Sequence, residues 1–134
     1  MTEVPNSTAY SSVVSLDSIF IGFILVSLHL VDITDIDMNN AYLNALCTKK
    51  IWSVGGNKYG EGKGGVLIIV SALYGLKSAA FLWISALASE LQEIGLKPTM
   101  AEPNVLIRTE MRLDENKYYE ILLVYVDDVI IFLI

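Results

Sequence analysis

The chain has 134 residues, room for one domain, and its 54% apolar and 18% charged residues leave it too apolar for disorder. One cysteine (Cys47) excludes a disulfide framework or a cysteine-rich zinc site, and one histidine (His29) excludes two-histidine metal motifs and argues against a histidine-based triad. Nine basic against fifteen acidic residues give a net charge of −6, so no overall positive field exists to hold a nucleic acid.

Residues 1–14 are Ser/Thr-rich and expected to be loose. Asn6-Ser7-Thr8 matches a glycosylation acceptor pattern. The first fifteen residues carry no Lys or Arg and do carry Glu3, so no secretory signal accompanies it and the match reads as chance. Ser15 is a candidate N-cap for a helix over residues 16–30 that is apolar on nearly every side and hence expected to be buried. Its apolar run, residues 19–31, is too short for a membrane span of about 20 residues and falls in the range of a core helix. Residues 31–37 read as a short strand ending in acids, and residues 39–46 as one or two helical turns. A short strand is expected over residues 51–54. A loop follows over residues 55–65, where six of eleven residues are Gly. Residues 66–70 read as a strand.

Residues 78–94 form the clearest helix. Phe81, Leu82, Leu87, Leu91 and Ile94 share a face, with Glu90 and Glu93 away from it; Gly95 and Pro98 supply the stop. Strands over residues 104–109 and 118–126 join across Asp114-Glu115-Asn116. Residues 129–134 return antiparallel. The reading is α+β: an antiparallel sheet backed by two long helices.

Three segments carry chemistry. Ile121-Leu-Leu-Val-Tyr-Val-Asp-Asp-Val-Ile-Ile-Phe-Leu-Ile134 has twelve apolar residues of fourteen, and the exceptions are the adjacent Asp127 and Asp128. The bland reading is a hydrophobic hairpin whose turn uses Asp. Against it, neighbouring carboxylates in an apolar hairpin repel and lose solvation unless a cation joins them. Hard divalent ions such as Mg²⁺ take such oxygen ligands together with substrate phosphates. Upstream, Asp32, Asp35 and Asp37 form a second acidic cluster. An EF-hand starting at Asp35 fails, because Asn40 stands where Gly is needed and Leu46 where Glu is needed. Asp35 and Asp37 alternate with Ile36 and so leave one side of a strand. A strand-end carboxylate beside others at a hairpin tip is the layout of a two-metal phosphoryl-transfer site. The third segment, Ala72-Leu-Tyr-Gly-Leu-Lys-Ser-Ala-Ala80, leads into the long helix; Gly75 permits close approach of a planar group and Lys77 places a cation near the helix start. A P-loop reading of Gly62-Lys63 fails, because Asn57 stands where the first Gly belongs and Gly64 replaces the required Ser/Thr.

In order, these segments resemble the palm motifs of reverse transcriptases, specifically of copia-type LTR retrotransposons. Asp37-Met-Asn-Asn-Ala-Tyr-Leu-Asn44 resembles the first catalytic motif, and Leu73-Tyr-Gly-Leu-Lys77 with Trp83 the second. Ala101-Glu-Pro-Asn-Val-Leu-Ile107 resembles the acidic-Pro segment after the helix, and Tyr125-Val-Asp-Asp128 the polymerase box. Ser11-Ser-Val-Val-Ser15 resembles the lead-in to the first helix. The resemblance implies RNA-directed DNA polymerase activity by two-metal nucleotidyl transfer, with Asp37, Asp127 and Asp128 as catalytic residues and ligands of two Mg²⁺ or Mn²⁺ ions. It places Tyr42 at the sugar-sensing position, with core packing as its alternative role, and Tyr74, Gly75 and Lys77 against the incoming nucleotide or template. It implies an RNA/DNA template-primer and dNTPs as partners, no membrane, and an intracellular location in a cytoplasmic particle or the nucleus.

Asp32 and Asp35 are expected to be solvated or supporting acids, and His29, Cys47 and the methionines structural. Where the family has Pro and Arg at the helix entry, this chain has Ala79, Ala80 and Phe81, which weakens basic contact with a nucleic acid. Residues 1–134 are expected to form one partial, palm-centred domain, truncated. The resemblance implies that most of the fingers, the thumb and RNase H lie outside this sequence, and that further polyprotein segments are expected to complete the fold. The isolated fragment is expected to be inactive. Two alternatives stay open: a catalytically inactive remnant with the palm fold, and an unrelated α+β cation-binding module.

Overall fold

The structure, a computed structural model, describes residues 13–134. The Asn6 acceptor pattern, most of the loose N-terminal segment and Ser11-Ser12 of the lead-in lie outside the described residues.

Ser15 is extended and its hydroxyl accepts the Ser18 N–H, capping helix α1 (Leu16–His29) as the sequence predicts. The same helix end is gripped from a distant loop. The Glu102 carboxylate accepts the Ser15 N–H at 2.5 Å and the hydroxyls of Ser15, at 2.8 Å, and Ser18. Burial alone would raise the Glu102 pKa, but the hydrogen bonds from Ser18 and Ser15 outweigh it and hold the group below the ordinary glutamate range. A carboxyl whose pKa is lowered by folding stabilises the fold above its unfolded pKa and loses that contribution as pH falls through the folded one. Acidification below about pH 4.3, the ordinary glutamate value, is therefore expected to loosen α1. Circular dichroism of Glu102→Gln should lack that acid step; an unchanged acid limb would refute the tether.

The remaining elements follow in chain order: β1 (Ile33–Asp37), a 3₁₀ turn (Ala41–Asn44), β2 (Leu46–Val54), β3 (Val66–Ser71), α2 (Ala79–Glu93), β4 (Lys97–Pro98), β5 (Val105–Met111), β6 (Lys117–Tyr125) and β7 (Asp128–Leu133). Strands β1-β7-β6-β5-β4 make one antiparallel sheet in that order, and β2 and β3 pair as a separate ribbon. This is the expected α+β architecture, with the two helices on opposite faces of the larger sheet. Leu122 and Val124 of β6 and Val129 of β7 pack with Ala79, Trp83 and Leu87 of α2. Leu123 and Phe132 pack instead with Val26 of α1. Successive strand residues point to opposite faces, and both faces are covered. That explains the continuous apolar run from Ile121: alternation with polar residues belongs to sheets with one wet face.

The two helices depart from expectation in what they bury. In α1 only Gly22 and Val26 are buried, whereas Leu16, Phe20, Ile24 and Leu28 are each at least 59% exposed. A helix lying on a sheet hides only the stripe facing it, and Gly22 lets that stripe come close: a Cβ there would stand 2.8 Å from Phe132 Cζ. In α2 the buried row is Ala79, Trp83 and Leu87. Leu82 and Leu91 flank it, while Phe81 and Ile94 are 37% and 57% exposed. The i, i+4, i+8 row is centred on Trp83, whose large ring fills the space over β6 and β7. The C-terminus of α2 stops as predicted: Gly95 has φ +94°, and the N–H groups of Gly95 and Leu96 donate to the carbonyls of Gln92 and Leu91.

One strand was legible only in part, over residues 51–54, and another not at all. Strand β2 begins at Leu46, earlier than expected, with an irregular register between Leu46 and Ile51 where it meets β3. Strand β4 ends on Pro98, which is tolerated because β4 lies at the sheet edge, where no inward N–H is demanded. The Gly-rich segment carries 3₁₀ turns within Asn57–Gly62, broken at Gly60.

Candidate active site

Strand β1 lies beside β7 so that Asp37 is the direct partner of Asp128, with Asp35 opposite Ile130. Directly opposed residues in an antiparallel pair have Cα atoms about 4.5–5.5 Å apart and side chains on the same face. Strands β6 and β7 pair up to Tyr125 and Asp128, leaving Val126 and Asp127 as a two-residue turn. The Asp127 carbonyl accepts the Met38 N–H at 2.8 Å. Asp37, Asp127 and Asp128 therefore lie at the same end of the sheet, although ninety positions separate the first two.

The charge concentrated there is visible at Asp128, whose pKa is raised by desolvation and by the negative charges of Asp127, Asp35 and Asp37. Asp35, exposed on β1, is thus part of the local field, in keeping with a supporting acid. Together with Tyr125 and Asp128 it lines a cleft of 520 Å³ between α1 and the sheet, walled by Leu16, Ile19 and Phe23. Asp32 is exposed and precedes β1. Among the described residues, no three His, Cys, Asp or Glu side chains are gathered closely enough to hold a metal ion.

The turn that carries Asp127 is strained. Val126 has φ +53°, a conformation that a β-branched residue rarely adopts and that costs about 1–3 kcal/mol. Its carbonyl accepts the indole N–H of Trp83 at 2.6 Å. Trp83 is 6% exposed and sits in the buried row of α2.

Tyr42, in the 3₁₀ turn after β1, is half-buried against the α2 core. Burial raises its phenol pKa, and the charge of Asp127 and then Tyr74 raise it further, so the ring stands within electrostatic reach of the acidic end of the sheet. The Tyr42 and Tyr74 rings are 4.5 Å apart between centroids and tilted by 40°. The structure thereby joins the first and second sequence segments through two aromatic rings. Gly75 follows Tyr74 with φ +95°, and a Cβ there would meet open space. The glycine is required by its backbone conformation, not by crowding. Lys77 is exposed in the same loop. His29 is exposed at the end of α1, and Cys47 is a half-buried free thiol.

No helix among the described residues is long and apolar enough to cross a membrane. No curated protein and no solved structure matches the chain. The family model described as reverse transcriptase (RNA-dependent DNA polymerase) matches it over residues 3–133. That match takes in every segment that converges on the acidic end of the sheet, and on it the chain belongs to the reverse transcriptase (RNA-dependent DNA polymerase) family.

Proposed function

We propose that this chain is the palm segment of an RNA-directed DNA polymerase from a copia-type LTR retrotransposon polyprotein, in which Asp37, Asp127 and Asp128 hold two divalent cations, Mg²⁺ or Mn²⁺. The register that sets Asp37 opposite Asp128, with Asp127 in the adjoining turn, carries this reading. The donor set suits a hard cation: all three groups offer carboxylate oxygens, and desolvation together with the negative charges of Asp127, Asp35 and Asp37 raises the Asp128 pKa. Bound there, the ions would supply Lewis acidity toward a primer 3′-hydroxyl and a triphosphate. The chain's own residues would do the positioning. Tyr42, backed by Tyr74, would wall the sugar site; Gly75 and Lys77 would support the incoming nucleotide or template strand. The partners on this reading are an RNA/DNA template-primer, dNTPs and the other polyprotein segments, in a cytoplasmic particle or the nucleus.

One observation favours a second reading, a remnant with the same fold and no turnover: the described ligands are not gathered into a ready cage. A metal titration separates the two. A ligand that binds only the folded state stabilises it by about 2.7 kcal/mol at a hundred times its Kd. Mn²⁺ or Mg²⁺ is expected to raise the urea midpoint of the chain, and Asp37→Asn/Asp127→Asn should remove that response while easing the repulsion without metal. A midpoint indifferent to both ions would favour the remnant.

A further inference from the structure

We infer that Trp83 is the positioning residue of this site: its indole N–H, bonded to the Val126 carbonyl, holds the strained turn that presents Asp127. The inference rests on the metal-binding reading of the three carboxylates and adds to it a residue that touches neither metal nor substrate.

The turn has two peptide carbonyls of its own, and each is fixed from a different element. Asp127 C=O takes the Met38 N–H at 2.8 Å, which ties the turn to the end of β1 and so to Asp37. Val126 C=O takes the Trp83 indole at 2.6 Å, which ties it to α2. Between these holds, Val126 is kept at φ +53°, a backbone state that a valine leaves when released. Relaxation there would swing the following residue, and the following residue is Asp127. A tryptophan suits the task because its indole is a donor with an otherwise apolar body. It fills the α2–sheet core at 6% exposure while delivering one N–H to the turn. Phenylalanine keeps the body and loses the donor.

Groups that orient metal ligands from outside typically contribute about 10–100-fold to metal affinity. Three variants of the 134-residue chain test the inference: Trp83→Phe, Val126→Gly and the double variant. Mn²⁺ affinity is read by electron paramagnetic resonance, and fold stability by urea unfolding. Trp83→Phe is expected to weaken Mn²⁺ binding by about tenfold. Val126→Gly should bind nearly as the parent does, because glycine adopts a positive φ without strain. On the glycine background the Trp83→Phe loss should shrink in both measurements, since the turn no longer needs holding. Contacting residues couple in stability whatever the contact, so the shrinking of the Mn²⁺ loss on the glycine background is the readout that distinguishes positioning from packing.

Additive stability effects, or unaltered Mn²⁺ affinity in Trp83→Phe, overturn the positioning role even if the parent chain binds Mn²⁺ well. A parent chain that takes up no Mn²⁺ instead overturns the metal reading of the carboxylates, and the positioning role with it. Should Trp83→Phe fail to fold, the double variant decides the matter: folding restored by Val126→Gly supports the clamp, and folding not restored refutes it.

Discussion

Asp127→Asn is expected to abolish template-dependent primer extension by a polymerase that carries residues 1–134 in their own flanking sequence. The substitution keeps the side chain's shape, and the two hydrogen bonds that fix the turn are made by backbone carbonyls, so the fold has little reason to change. What goes is one negative charge from the end of the sheet where Asp37 and Asp128 face each other. Metal-borne charge stabilisation of a phosphoryl transition state is worth several kcal/mol, and about 4 kcal/mol corresponds to roughly 10³-fold in rate. Asp32→Asn removes the same charge from an exposed residue before β1 and should leave extension within about twofold, as surface substitutions usually change little. Equal activity in the two variants would end the two-metal assignment. The 134-residue chain alone is expected to be silent in the same assay. Holding a 3′-hydroxyl in line is worth up to ~7–11 kcal/mol, and a net charge of −6 opposes template binding.

In the same polymerase, Tyr42→Ala is expected to admit ribonucleotides. The ring stands 4.5 Å from that of Tyr74 and within electrostatic reach of Asp127, so its removal opens space near the acidic end of the sheet. Exclusion of an added hydroxyl by shape alone discriminates by about 10², which sets the size of the expected fall in dNTP over rNTP preference. The ring also packs against the α2 core, so part of any loss in total activity will come from stability. The ratio of the two kcat/KM values is therefore the quantity to measure. Tyr42→Phe keeps the wall and should keep the preference. A proportionate fall with dNTP and rNTP alike would make Tyr42 a packing residue only.

Much of the local structure was legible because its causes are local. Ser15 caps α1 with its own side chain on Ser18, and Gly95 ends α2 with a left-handed backbone. The Asp114-Asn116 turn is closed by the Asp114 carboxylate accepting from Asn116. Each involves residues a few positions apart, so the sequence window contains both partners. The spacing and order of the acidic segments pointed to a convergent site because adjacent carboxylates in an apolar run call for a third group and a cation; in the fold Asp127 is half-buried and Asp128 exposed.

Tertiary structure alone decided the rest. Both helices are apolar well beyond what the sheet can cover, so composition could not tell which stripe of α1 meets Phe132 or that Trp83 centres the buried row of α2. The Asp37–Asp128 register depends on which strand β1 joins, ninety-one positions along the chain, and no local propensity encodes that choice. The Glu102 grip on α1 and the Trp83 grip on Val126 are likewise hydrogen-bonded contacts between distant segments. By itself, then, the sequence determined most of the elements, the ends of both helices and the residue types available for chemistry, through short-range sterics and capping. Which apolar stripe is buried, which acids face each other and what holds the strained turn were settled only when packing brought remote segments within hydrogen-bond distance.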